Sequence, residues 1–177
     1  MTGLCIGSYA LLGMDPFDAL CHGLTTVATG GFANYDASFG VFGAQPSLLL
    51  IACLFMLASA LLSLFRSGDT DRWLQQAPVA IYAGWLTAAS CVALGLLLGG
   101  YGILDNTPAA LVALALALGI AVTVQYNLHR APEYGITVIW ALVAVIVANA
   151  QPLNAAVAGL ALIGILIILG LRGTDTE

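Results

Sequence analysis

Long apolar segments separated by short polar loops dominate the pattern along this chain. Five of them approach the roughly 20 residues that a helix needs to cross a hydrocarbon core of ~30 Å. They are residues 46–65, 77–98, 108–128, 134–150 and 153–171. The pattern therefore predicts an all-α, polytopic integral membrane protein with about five transmembrane helices, whose partner is the lipid bilayer.

A different pattern precedes the first of these segments. Residues 2–12 are apolar but too few to span, which predicts only a partial first helix. Asp15 followed by Pro16 is typical of a helix start, because Asp caps free N–H groups and Pro suits the first helical position. A helix is therefore predicted over residues 15–28, with Phe17, Leu20, Leu24 and Val27 at the spacing of one helix face.

This short helix runs into a Thr-Gly-Gly turn placed between apolar segments. The C-terminal end of a helix carries partial negative charge and favours a cation. Glycines allow the following residues to extend, so that their carbonyl oxygens line a narrow path. The arrangement predicts a re-entrant pore helix followed by an ion filter. The predicted filter residues are Ala28, Thr29, Gly30, Gly31 and Phe32.

The segment after the filter is polar and glycine-dotted. Asp36 in this segment has two interpretations that the residues leave open. Its charge draws cations to an outer mouth, or it belongs to an ordinary solvated loop.

Three motifs in this region carry a resemblance to a known family. Residues 13–20, 25–32 and 36–40 together resemble one pore repeat of the Trk/Ktr/HKT potassium transporters, and the membrane subunit of the bacterial Trk system most of all. The resemblance covers residues 1–66 and implies a second repeat helix over residues 46–65, with K+ as the transported ion. Members of that family surround the ion path with four repeats. One repeat would require homo-oligomerisation or other pore repeats, or the chain is a fragment that does not conduct.

Composition excludes several classes of function. Only 7% of the residues are charged and there is no lysine, so nucleic acid is not an expected partner. The four cysteines have no metal-ligand spacing, and no metal site or cofactor is expected. The helices carry no paired carboxylates, nucleophile constellation or phosphate loop. We therefore do not expect an enzyme.

The four arginines predict the orientation in the membrane. Arg66 and Arg72 bound the loop after residue 65, Arg130 lies two loops later, and Arg172 follows the last segment. All four fall on one side of the membrane, which the positive-inside tendency makes cytoplasmic. The linker at residues 67–72 and the polar tail at residues 173–177 are then cytoplasmic, and the pore mouth faces outward. The expected location is the inner membrane of a bacterium.

A second resemblance appears behind the linker. Residues 77–90 contain a Pro…Tyr-x-Gly-Trp…Ala pattern, and residues 130–135 run into an Ile-Trp-Ala-Leu stretch at 139–142. Both are similar to the tryptophan-rich sensory proteins related to the translocator protein (TspO) group, over about residues 72–172. The resemblance implies a four-helix bundle over residues 73–172 that binds a tetrapyrrole. It would make Tyr82, Trp85 and Trp140 ring contacts, although aromatics in membrane helices also pack or anchor at an interface.

Two functions follow from these patterns. The first is transport of potassium through the filter loop, either partial or dependent on oligomerisation. The alternative is a sensory membrane protein that binds an apolar ring ligand and transports nothing. A fused or misjoined reading frame would also bring two partial families together at residues 66–72.

Overall fold

The computed structural model of this protein describes residues 2–28, 33–35, 46–66, 72–128 and 131–173. Within these ranges the chain forms seven α-helices and one π-helical turn. In chain order they are α1 (Thr2–Leu11), α2 (Pro16–Val27), α3 (Pro46–Arg66), the π turn (Arg72–Gln76), α4 (Ala77–Gly100), α5 (Asn106–Asn127), α6 (Pro132–Ala148) and α7 (Ala155–Gly173). The helices begin and end within about two residues of the predicted bounds.

Helix length and composition support a membrane location. Two described segments, Arg72–Gly100 and Asn106–Asn127, are long and apolar enough to cross a membrane. The other apolar helices are shorter by the same measure. Large apolar side chains remain exposed along most helices, as expected where the surroundings are lipid. The prediction of an all-α membrane protein is confirmed.

Helices α3 to α7 pack around one apolar core, which we call the bundle core. Its buried members come from all five helices and include Leu64, Leu86, Leu118, Leu142 and Ile168. Close approach of α4 and α6 depends on Gly84, since a Cβ there would lie 2.8 Å from the Tyr134 carbonyl oxygen. The bundle core therefore rests on close packing of small residues as well as on leucines.

Two pairs of small residues four positions apart, Gly95 and Gly99 in α4 and Ala115 and Gly119 in α5, differ in whether they lie at a helix contact. A Cβ at Gly95 would lie 3.4 Å from Ala113 Cβ, and one at Gly99 would lie 3.3 Å from Asn106 Oδ1. Gly95 and Gly99 thus both face α5. A Cβ at Gly119 would meet nothing within 4 Å, and Ala115 is exposed. Only the α4 spacing serves helix packing.

A smaller unit forms where α1 and α2 pack against the first half of α3. We call it the front unit, and its buried apolar residues are Cys5, Tyr9, Met14, Ala19, Leu48 and Ala52. The Tyr9 hydroxyl and Thr26 Oγ1 lie 2.8 Å apart and join α1 to α2. A Cβ at Gly23 would collide with Ile6, so the two helices lie in close contact.

The short helix α2 begins as predicted, but its apolar face points outward. Asp15 is the N-cap and accepts a hydrogen bond from the Phe17 N–H at 3.0 Å. Phe17, Leu20 and Leu24 are exposed, whereas Asp18 and His22 are buried. This inversion is reasonable in a membrane, because lipid receives the apolar face and protein must enclose the polar one.

Helix α3 belongs to both units. Leu48 and Ala52, in its first half, are buried in the front unit. Leu57, Ala60 and Leu64, in its second half, are buried in the bundle core. One continuous helix therefore connects the two halves of the molecule.

Candidate functional site

An elongated cavity of about 740 Å³ lies in the bundle where α4, α5 and α6 face one another. Alanine is the commonest residue in its wall, as at Ala88, Ala93, Ala113, Ala117 and Ala141, and Gly95 also lines it. Helices α5 and α6 contact each other far less than either contacts α4. The small side chains in this part of the bundle do not fill the space between α5 and α6, and that space remains open.

The polar groups of the cavity are few and unevenly placed. Asn106 at the start of α5 and Asn149 at the end of α6 lie at one end. Thr87 lines the cavity, but its hydroxyl already donates to the Ala83 carbonyl and contacts the Tyr134 hydroxyl, each at 2.9 Å. From Asn106 to Ala117 the cavity follows roughly 16 Å of helix at 1.5 Å per residue.

No charged side chain lines this cavity among the residues that the structure describes. Its wall is therefore suited to an apolar molecule that places a hydrogen-bonding group near the two asparagines. An isolated carboxylate in such a wall would lose its hydration without gaining a cation, which is costly.

A polar arrangement lies in the front unit, where residues 34 and 35 contact α2. The carboxylate of Asp18, which is 7% exposed, accepts hydrogen bonds from Asn34 Nδ2 and from the Tyr35 hydroxyl, each at 2.9 Å. Asp18 thus holds residues 34 and 35 against α2.

Comparison with known families concerns the bundle with its cavity first. The profile of the family described as TSPO-like protein matches residues 42–172, which is most of the chain and includes α3 to α7. The chain belongs to the TSPO-like protein family. The match includes α3, in agreement with its place in the bundle core, although the sequence patterns assigned this helix to the pore repeat.

The TSPO-like chain is also related, over a short segment, to potassium uptake proteins. It is 55% identical over 60 residues to the Trk system potassium uptake protein TrkI of Halomonas elongata, which is 34% of this chain and 12% of that protein. It is 43% identical over 60 residues to TrkH of Vibrio parahaemolyticus, with the same coverage, and 46% identical over 56 residues to TrkG of Escherichia coli K12, with 32% and 11%. The chain thus spans about 12% of the length of these relatives. No solved structure matches it significantly.

These relationships confirm both resemblances seen in the sequence. Neither family consists of enzymes, as predicted. The TSPO-like protein is thus a membrane protein that shares a segment of about 60 residues with potassium uptake proteins.

The predicted ring contacts of this TSPO-like protein occupy three different environments. Trp85 lines the cavity and also stacks on Trp140, with ring centroids 5.6 Å apart and planes tilted by 39°. Trp140 is 60% exposed and does not line the cavity. Tyr82 is half-buried and packs against the bundle core instead. The structure therefore brings Trp85 and Trp140 together.

The predicted filter lies almost entirely outside the described residues. Of its members the structure describes only Ala28, which ends α2 and donates its N–H to the Leu24 carbonyl at 3.0 Å. Residues 29–32 and the predicted mouth residue Asp36 lie outside the described ranges. Their roles stay predictions.

Three polar residues of the sites were not singled out from the sequence. A carboxylate within a short apolar helix is costly unless it is paired, so Asp18 carried a usable signal. Asn106 and Asn149 carried no such signal in the sequence, because asparagine is common at helix ends whether or not a site is present. Their place at one end of the cavity depends on how the helices pack.

Proposed function

We propose that this protein is a membrane protein that binds an apolar ligand inside its helical bundle. The observation that carries the proposal is the cavity of about 740 Å³ between α4, α5 and α6, with its wall of small apolar side chains. Transfer of apolar ligand surface out of water contributes about 25 cal/mol per Å², which is ample for a ligand of cavity size. Trp85 would contact the ligand at the cavity wall, as the family resemblance implies.

Tryptophan fluorescence of the full chain in detergent micelles tests this proposal. The probes are protoporphyrin IX, the tetrapyrrole named by the resemblance, and its neutral dimethyl ester. We expect saturable quenching by both, and a lower Kd for the ester because the described wall offers no cation to the two carboxylates. Trp85→Phe should remove most of the quenching.

A pair of matched variants locates the site. Ala141→Phe fills the cavity, and should raise the Kd at least tenfold, equivalent to about 1.4 kcal/mol. Ala156→Phe places the same side chain at an exposed position of α7 outside the cavity wall, and should leave the Kd unchanged. Equal Kd values for both variants and the parent protein would rule out the cavity as the binding site.

The second candidate function is potassium transport through the front segment. It is favoured by the 55% identity over 60 residues to a potassium uptake protein. Carbonyl groups of residues 28–32 would replace part of the hydration shell of K+, with Asp36 at the outer mouth. A single loop supplies one quarter of such a ring, so this function needs other copies of the chain or other pore repeats.

Rubidium uptake in cells that lack potassium uptake tests the second function. Expression of the chain should restore uptake, and Gly31→Asp should abolish it because a side chain enters the proposed filter. Ala141→Phe, which acts only on the cavity, should leave uptake unchanged. Failure of the chain to restore any uptake would exclude transport and leave ligand binding untouched.

The arrangement of arginines leads to a proposed orientation. With Arg66 and Arg72 on the cytoplasmic side, the asparagine end of the cavity and the pore mouth would face outward. Labelling of single cysteines by a membrane-impermeant maleimide in intact cells tests this. In a cysteine-free background, Asp105→Cys should react and Arg72→Cys should not.

A further inference from the structure

A second depression lies on the outer surface of the bundle between α4 and α6. Its volume is about 450 Å³, and we call it the outer groove. It is lined by Ile81, Trp85, Glu133, Ile136, Thr137 and Trp140. Only Trp85 also borders the internal cavity. The outer groove thus shares Trp85 with the cavity, and its other lining residues take no part in the proposed ligand binding.

One end of the outer groove carries an incompletely satisfied ion pair. Arg72 Nη2 donates to Glu133 Oε1 at 3.2 Å, and the side chains of Arg72 and Glu133 are 54% and 15% exposed. Glu133 Oε2 is buried and has no hydrogen-bond partner among the described residues. A buried carboxylate oxygen without a donor is costly, and a guanidinium has five N–H donors of which this contact uses one.

The other end is aromatic. Glu133, Ile136 and Trp140 fall on one face of α6 at positions i, i+3 and i+7, so about 10 Å of helix separates the carboxylate from the Trp140 ring. There the ring stacks on Trp85 from α4. The groove therefore leads from a charged end to an apolar end within the length of one lipid headgroup and the upper part of its acyl chain.

The surroundings place the charged end at the membrane surface. Arg72 lies in the π turn that opens α4, and its guanidinium carbon is 5.6 Å from the centre of the Trp73 ring. Trp73 and Leu74 are both strongly exposed. Exposed tryptophan beside arginine is typical of the boundary between headgroups and hydrocarbon.

We propose that the outer groove binds a phospholipid with a primary ammonium headgroup, that is, phosphatidylethanolamine. The ammonium donates a hydrogen bond to the Glu133 carboxylate, whose side chain lines the groove, and the phosphate accepts from the N–H groups of Arg72 that the ion pair does not use. An acyl chain lies along Ile136 and the Trp85–Trp140 pair. The opposite charges at the head of the groove match the opposite charges of this headgroup.

Charge complementarity distinguishes this lipid from its common alternatives. Phosphatidylcholine carries a quaternary ammonium with no N–H to donate to Glu133. Phosphatidylglycerol carries a phosphate but no cation, and would bring its negative charge towards Glu133. Lipids with the same acyl chains but different headgroups therefore provide the test.

The experiment measures tryptophan quenching by lipids with brominated acyl chains, titrated into detergent micelles of the full chain. The host protein carries Trp73→Phe, so that Trp85 and Trp140 report. Half-maximal quenching by phosphatidylethanolamine should occur at a concentration at least tenfold lower than for phosphatidylcholine or phosphatidylglycerol. Equal midpoints for the three lipids would show annular contact only, and tighter binding of phosphatidylglycerol would show an anionic-lipid site. Either result overturns the proposal.

Variants then assign the preference to the ion pair. Glu133→Gln should reduce the preference for phosphatidylethanolamine over phosphatidylcholine to twofold or less. Asp105→Asn removes a carboxylate at the exposed start of α5 and should change nothing. Ala141→Phe should also retain the preference, which separates this site from the cavity. A full preference in Glu133→Gln would overturn the assignment.

A second test does not depend on the folding of Glu133→Gln. It uses the host protein, which keeps Glu133, and a series of lipids. Successive N-methylation of phosphatidylethanolamine removes its N–H donors one at a time and keeps the positive charge. The midpoint should rise stepwise and most steeply at the last methyl group, where the final donor disappears. A midpoint independent of methylation would contradict the proposed hydrogen bond.

Discussion

The front unit and the bundle differ in what lies between their helices. The front unit encloses polar groups, since Asp18, His22 and Thr26 are all buried on α2. In the bundle, α4, α5 and α6 instead line an apolar cavity with a wall rich in small side chains. Enclosed polar groups are suited to holding a backbone segment in place, and an apolar cavity is suited to taking up a ligand.

Helix α3 shows how the two solutions coexist in one chain. Its first half packs on the front unit, and its second half packs in the bundle core. A helix that serves both units needs no separate linker between their cores. The TSPO-like match begins at residue 42 and so includes all of α3, both the half in the front unit and the half in the bundle core.

The largest change in the free energy of unfolding is expected where helices α4 and α6 of the bundle pack most closely. Gly84→Val adds a Cβ that would lie 2.8 Å from the Tyr134 carbonyl oxygen and 2.9 Å from Thr137 Cβ. Helices α4 and α6 must then move apart, and we expect a loss of about 1–3 kcal/mol in the free energy of unfolding. Unfolding by SDS in mixed micelles measures it. Gly159→Val, at a helical site with nothing within 4 Å, is the control and should lose clearly less.

The next effect is expected in the polar interior of the front unit. Tyr9→Phe removes the hydroxyl that contacts Thr26 Oγ1 at 2.8 Å, and no other partner of this buried threonine side chain is seen among the described residues. We expect a loss of about 1–1.5 kcal/mol, towards the upper end for membrane hydrogen bonds. The same SDS titration measures the change. A loss below 0.3 kcal/mol, as an order-of-magnitude limit, would show that this contact does not hold α1 to α2.

A matched change in the bundle should cost less. Tyr134→Phe also removes a buried tyrosine hydroxyl, but Thr87 keeps its hydrogen bond to the Ala83 carbonyl. Since no buried donor loses its only partner, we expect a loss of about 0.6 kcal/mol. A loss greater than that of Tyr9→Phe would contradict the contrast between a polar front unit and an apolar bundle.

The smallest effect is expected at Gly95. A Cβ there would make ordinary van der Waals contact with Ala113 Cβ at 3.4 Å, so Gly95→Ala should change the free energy of unfolding by no more than about 0.5 kcal/mol. The added methyl group also narrows the cavity slightly, because Gly95 lines it. Comparison of SDS unfolding with the Kd of the porphyrin ester separates the two consequences. A large loss in the free energy of unfolding would show that α4 and α5 lie closer together at Gly95 than the 3.4 Å contact allows.

The sequence by itself determined the class of this protein and the position of its helices. Apolar segments of membrane length have few stable alternatives to helix, because unpaired backbone groups are costly in lipid. The start of α2 was likewise predictable, since Asp15 and Pro16 act through local hydrogen bonding and a fixed backbone angle. Such features depend only on neighbours in the chain.

Only the tertiary structure decided which faces meet. The outward direction of Leu20 and the inward direction of Asp18 depend on where α1 and α3 lie. The cavity lies where α5 and α6 make few contacts with each other, and the contact of Trp85 with Trp140 joins residues 55 positions apart. Helix periodicity describes one helix at a time, whereas a cavity or a groove is a property of the space between helices.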